Sequence, residues 1–207
     1  MPRVEEIRTF LDELAPQALA EDWDNVGALV DCGSNVTSVM MALDITDEVV
    51  TEAEMAGCQL IVSHHPVIFH PLKAVGRSDV AFRMIKKSIS GICMHTNMDA
   101  ADGGVNDILA IIFGLQEVRK LDGMGRVGRL RAPTSAPQLA ALCREKFGAA
   151  VKYADAGRPV STLAVVGGSG GDFIPAALAA GADCLLTGEA VSYTHLDVYK
   201  RQSSTWA

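Results

Sequence analysis

"CQLIVSHHPVIFH", residues 58–70, sets the terms for everything around it. Leu60 to Ser63 is an apolar run of strand length, and it leads straight into His64, His65 and Pro66. Inside an ideal strand, neighbouring side chains point to opposite faces, so two adjacent imidazoles do not share a pocket. At a strand end that restraint loosens, and Pro66 confines His65 to extended or polyproline backbone. The pair is therefore either a solvated strand end or a pair of ligands. Two adjacent imidazoles leaving a strand can diverge onto two metals, which would explain their adjacency better than one metal does.

The flanking segments give the strand its context. "VEEIRTFLDELAP" (4–16) carries Val4, Ile7, Phe10, Leu11 and Leu14 on a helical stripe. "EDWDNVGALVD" reads as a turn into a short strand, with Trp23 expected in the core. Asp24 and Asn25 either close that turn or line a cleft. "VTSVMMALDIT" (36–46) is a buried strand, Thr46-Asp47 caps the helix "DEVVTEAEMAG", and Gly57 stops it. After the histidine strand come a helix in "SDVAFRMIKKSIS", a short strand in "GICMH", and a helix in "GVNDILAIIFGL" ended by Gly114. This alternation predicts an α/β fold: two related α/β lobes, with largely parallel or mixed sheets flanked by helices. In such sheets ligands sit at the carboxyl ends of strands. Asp44, the His64-His65 pair and His95 all fall there.

The first lobe is expected over 1–120 and a second, incomplete portion over 121–190. Residues 116–135, "QEVRKLDGMGRVGRLRAPTS", read as the join. A helix ("APQLAALCREKFG"), a strand ("STLAVVGG"), a glycine turn, a helix ("DFIPAALAAG") and a strand ("ADCLLTGE") follow. "VVGGSGGDF" (165–173) matches neither G-x-x-x-x-G-K-[ST] nor G-x-G-x-x-G. It reads as a tight structural turn with Asp172 as a helix cap, against the alternative of a phosphate cradle.

Composition narrows the function classes. The net charge of −7 argues against a nucleic-acid-binding surface as the main function, and nucleic acid is not an expected partner; the one local basic run, "RMIKKS" (83–88), reads as a helix face. It does not exclude a nucleotide substrate, since a metal supplies positive charge locally. No apolar run reaches membrane-span length, and the acidic start "MPRVEEIRTFLDELAP" has no signal core, so a cytoplasmic location is expected. Five scattered cysteines without a C-x-x-C pair read as reduced, mostly buried thiols.

A second chemical segment is "MHTNMDAADGGVND", residues 94–107. His95 ends a strand, and Asp99 adds a hard oxygen four residues later in a turn closed by Gly103-Gly104. His95 either ligates a metal or orients a ligand from behind. Asp102 and Asp107 read as helix-start and surface residues, and His70 as surface. Imidazole with carboxylate suits zinc, iron, manganese, cobalt or nickel.

Taken in order, "WDNVGALV", "ALDIT", "LIVSHHPVIF", "HTNMDAADGGVND", "GRVGRL", "GGSGGDF" and "ADCLLTGE" resemble the Nif-three-like dinuclear metal-centre proteins. These are also called GTP cyclohydrolase 1 type 2 homologues. The resemblance, from about residue 5 to residue 190, implies two related α/β lobes, a ring-shaped homohexamer and two divalent metals per subunit facing an interior cavity. Carried over by position, it makes His64 and His65 ligands of the two metals and puts Asp99 with His65 on one of them. His95 matches a family histidine close to the centre. The family completes the site with a histidine and a bridging glutamate four residues apart near its C-terminus.

Here "VSYTHLDVYKRQSSTWA" (191–207) follows instead, without H-x-x-x-E. It resembles an adaptor-like, non-native tail, and His195 within it is given no role. The native final strand and its two ligands are expected to be missing, so partial metal occupancy and little activity are expected of this chain. The function implied is a metal-dependent hydrolase of a nucleotide or phosphorylated small molecule. The alternative is a non-catalytic metal-binding or regulatory scaffold.

Overall fold

The computed structural model describes residues 1–190. The tail and His195 lie outside the described residues. The chain forms two compact units, the first ending at Gly104 and the second beginning at Val105.

In the first unit the elements run α1 (Val4–Leu14), β1 (Gly27–Val30), β2 (Val39–Ala42), α2 (Asp47–Met55), β3 (Leu60–Ser63), α3 (Val80–Lys86), β4 (Ser90–Cys93) and α4 (Thr96–Ala100). The sheet order is β1-β4-β3-β2. β2, β3 and β4 are mutually parallel, and β1 closes one edge antiparallel to β4. β3 explains the arrangement. All four of its residues are buried, and they alternate between two hydrophobic layers. Ile61 packs with Val50, Ala53 and Met84 from α2 and α3. Leu60 and Val62 pack on the other face with Val4, Ala15 and Ile92. Each such side chain contributes about 2 kcal/mol by leaving water. A strand buried on both faces has no polar alternation to show, which is why "LIV" runs apolar without a break until the small, buried Ser63. Thr46 caps α2 as expected, its hydroxyl accepting from the Val49 N–H at 3.3 Å.

The second unit holds α5 (Val105–Ile112), β5 (Gln116–Leu121), β6 (Gly125–Thr134), α6 (Ala136–Phe147), β7 (Val160–Ser169), α7 (Ile174–Ala179) and β8 (Cys184–Glu189). Its sheet order is β5-β6-β7-β8, antiparallel except for the last pair. Leu163 and Val165 of β7 pack with Ala110 of α5, Phe113 just past it, and Leu139 and Cys143 of α6. Arg126 is buried and forms a two-pronged ion pair with Asp107 in the first turn of α5. The two mixed sheets flanked by helices are the α/β class read from the sequence.

Three local readings need correction. The strand expected to be buried in "VTSVMMALDIT" is the edge strand β2, exposed or half-buried at all four residues. Residues 116–134 are no linker: they form the β5–β6 hairpin, turning at Asp122 and Gly123, both with positive φ (49° and 73°). The Asp-Gly pair is a hairpin signal. It was obscured because β5 is exposed along all but its last residue and carries Glu117, Arg119 and Lys120. Asp172 does not cap a helix start either; it sits inside the 3-10 turn Gly171–Phe173, with Gly170 in the cap position.

Among the described residues no helix is long and apolar enough to cross a membrane. All five cysteines are free thiols, three of them buried.

Candidate metal centre

Because β2, β3 and β4 are parallel, their carboxyl ends open on one edge of the sheet. Asp44 lies two residues past β2, His64 and His65 directly follow β3, and His95 lies two past β4. Backbone hydrogen bonding continues beyond β3: the His64 N–H reaches Ala42 O and the His65 N–H reaches Leu43 O. Side chains secure the two carbonyls as well. Cys93 Sγ donates to His64 O at 3.1 Å, and Ser63 Oγ donates to His65 O at 2.8 Å. Burial, with the negative charge of Asp24 adding to it, pushes the Cys93 thiol up to about 12, so it stays a protonated donor.

The backbone so held sends both imidazoles to the same side. Ring centroids lie 5.1 Å apart for His64 and His65, 5.2 Å for His64 and His95, and 5.6 Å for His65 and His95. One nitrogen from each ring falls within 4.8 Å of the others, a group that can hold a metal ion.

The other nitrogen of each ring decides the chemistry. His64 Nδ1 faces Met94 O at 2.9 Å, His65 Nδ1 faces Asp44 Oδ1 at 2.7 Å, and His95 Nδ1 faces Asp24 Oδ1 at 2.8 Å. A backbone carbonyl and two carboxylates only accept, so each Nδ1 carries the proton and donates. In each neutral ring the Nε2 lone pair is left for a ligand. This is how metal-binding histidines are oriented in general.

Asp24 is the deepest of these partners, its side chain wholly buried. Besides His95 it accepts from the Thr96 N–H at 3.1 Å, the Thr96 hydroxyl at 2.5 Å and the Asn25 N–H at 2.8 Å. Burial alone would raise its pKa; the hydrogen bonds from His95, Thr96 and Asn25 outweigh it and hold the carboxyl below its usual range. Of the two readings left open for Asp24, the backbone takes the turn, its N–H donating to Glu21 O at 2.9 Å, while the side chain lies buried behind His95 rather than lining an open cleft. The signal was weak in the sequence because His95 is 71 residues away.

Asp99, in α4, brings its Oδ1 to 3.7 Å from His64 Nε2. Burial pushes its carboxyl up, against the opposing pull of His64 and His95. The Asp99 turn is closed tightly: a Cβ on Gly104 would lie 2.0 Å from Met98 O, so only glycine fits. Asp102 is exposed and Asp107 belongs to the Arg126 pair. His70 is exposed beside Phe69. Trp23, expected in the core, is 60% exposed and stands edge-on to His95, its ring centroid 6.1 Å away. Its neighbours Asp24 and Asn25 take the inward positions instead.

Three imidazoles and a carboxylate fit a borderline divalent ion, and the nearby charges of Asp24 and Asp44 favour a cation. The glycine turn after β7 is a structural joint. The Gly167 N–H is taken by Asn106 Oδ1 at 2.8 Å and the Gly170 N–H by Thr187 Oγ1 at 2.8 Å.

Known proteins share this fold. A protein of Clostridium perfringens called GTP cyclohydrolase 1 type 2 homolog is 33% identical over 96% of this chain and 81% of its own length. A Streptomyces coelicolor protein of the same name is 38% identical over 91% of this chain and 73% of its own. A solved hypothetical protein from Staphylococcus aureus superposes with a TM-score of 0.84 at 26% identity, covering 96% of this chain and 83% of that one. A Bacillus cereus protein related to NIF3 shares the fold with a TM-score of 0.83 at 24% identity, over 94% of this chain and 84% of its own. The sequence pattern of Duf34/NIF3 (NGG1p interacting factor 3) matches residues 2–205, and the chain belongs to that family.

Proposed function

We propose that His64, His65, His95 and Asp99 belong to a centre for two divalent metal ions, occupied only in part in this chain, and that the family's proteins act as metal-dependent hydrolases of a nucleotide or another phosphorylated small molecule. The observation that carries the reading is the set of three Nδ1 hydrogen bonds, which leaves three Nε2 lone pairs on one side of the sheet edge. A bound divalent ion supplies Lewis-acid chemistry and positive charge for anionic oxygens. The chain's own residues do the rest. Asp24 and Asp44 fix two imidazole tautomers, the Met94 carbonyl fixes the third, and Asp99 adds negative charge beside His64. The ring-shaped homohexamer is part of the same proposal; light scattering of the purified protein tests it.

The function is tested by turnover. A zinc- or manganese-loaded relative, the Clostridium perfringens protein, is assayed against a panel of nucleotides and phosphoesters. Hydrolysis of a panel member, abolished when its counterpart of His65 is changed to Ala while circular dichroism is unchanged, is the expected result; this chain is expected to take up fewer than two ions per subunit and to turn over little. Normal metal loading with no turnover anywhere in the panel would favour a regulatory metal-binding scaffold.

A further inference from the structure

Beside the histidine cluster stand two aromatic rings that the fold does not bury. Trp23 is 60% exposed and Phe69 42% exposed, with ring centroids 5.9 Å apart and planes inclined at 53°. Trp23 is also the nearer of the two to the centre, through its edge-on contact with His95. Their exposure does not come from loose chain ends. The residue after Trp23 is Asp24, held by His95 and Thr96, and the next is Asn25, whose side-chain amide donates to Ile68 O at 2.6 Å. That bond ties the Trp23 turn to the residue just before Phe69. Both rings are thus carried on anchored backbone and directed outward, at the cost of leaving large apolar surface in water.

We propose that Trp23 and Phe69 form a shelf that stacks the planar ring of the substrate while its anionic group meets the histidine centre. The ligand class is an aromatic heterocycle carrying a phosphate. The inference rests on the metal-centre reading for the position of the anion, and on the two rings alone for the heterocycle. Aromatic faces next to a cation site suit a molecule with a flat π-system at one end and an anion at the other. A phosphorylated sugar without a base satisfies only half of the site.

The test compares adenosine 5′-monophosphate with ribose 5-phosphate by calorimetry on the full chain, zinc-loaded and after chelation. The proposal expects the nucleotide to bind about tenfold or more tightly than the sugar phosphate. In Trp23→Ala that preference should fall to within about threefold, and Phe69→Leu should lower it less, with zinc content unchanged in both. Because the preference is a ratio, it should survive chelation even as both affinities drop. Equal binding of the two ligands by the wild-type chain, or an unchanged preference in Trp23→Ala, overturns the shelf. A change in oligomeric state in Trp23→Ala, read by light scattering, also overturns it, since the rings would then be covered by a second copy. Affinities indifferent to chelation, with the preference intact, would instead remove the metal-centre reading and leave the shelf standing.

Discussion

The two sheets use similar pieces to different ends. In the first unit three parallel strands finish side by side, so the residues just past β2, β3 and β4 collect on one edge. In the second unit β5, β6 and β7 alternate in direction, and only β7 and β8 finish together. Among the described residues, the cluster able to hold a metal lies in the first unit. Parallel pairing gathers side chains from distant parts of the sequence at one place; antiparallel pairing sends successive strand ends to opposite edges. At the shared end of β7 and β8 the Thr187 hydroxyl accepts from the Gly170 N–H and donates to Gly168 O.

The sharpest way to break this contrast is to remove one of the clustered histidines. His65→Ala should lower zinc affinity by more than about 100-fold, beyond what losing an outer partner costs, with the near-native circular dichroism of an intact sheet. Retained affinity would mean that the parallel edge is not the metal site. Next in size is a change to the other unit's core. Leu163 is fully buried, and Leu163→Ala should cost about 2–5 kcal/mol in urea unfolding. A loss below about 1 kcal/mol would show that β7 is not the centre of that core.

A finer probe separates the partners behind the ligands. Asp24→Asn should weaken zinc binding about 10–100-fold, measured by competition with a chromophoric chelator. Asp44→Asn should weaken it less, since Asp44 is 55% exposed and water can replace it. Equal effects would contradict the burial argument. The smallest expected effect is in the hairpin: Gly123→Ala, at φ 73°, should cost about 1 kcal/mol in stability and leave zinc affinity unaltered.

Much of the first unit was legible because its signals are local. A strand-length apolar run before a histidine pair, or a threonine before a helical stripe, is written in consecutive residues. His64, His65, His95 and Asp99 could be placed near one another because parallel strand ends converge. What escaped reading depends on distance or on exposure. Asp24 owes its role to residues 71 and 72 positions away, His95 and Thr96. Trp23 was expected inside because tryptophan usually is; the turn gives the inward places to Asp24 and Asn25. The β5–β6 hairpin hid behind charged side chains that suit an exposed strand as well as a loop.

The three hydrogen bonds behind the histidines also differ in how they are encoded. The bonds to His65 and His95 come from aspartate side chains, and a single base change in a codon can delete either one. The bond to His64 comes from the main-chain carbonyl of residue 94, which every amino acid carries. No point substitution removes that oxygen so long as the strand keeps its course. The orientation of one imidazole is therefore sheltered from mutational drift at its partner, while the other two can be retuned residue by residue, so variation behind these rings should enter through Asp24 and Asp44.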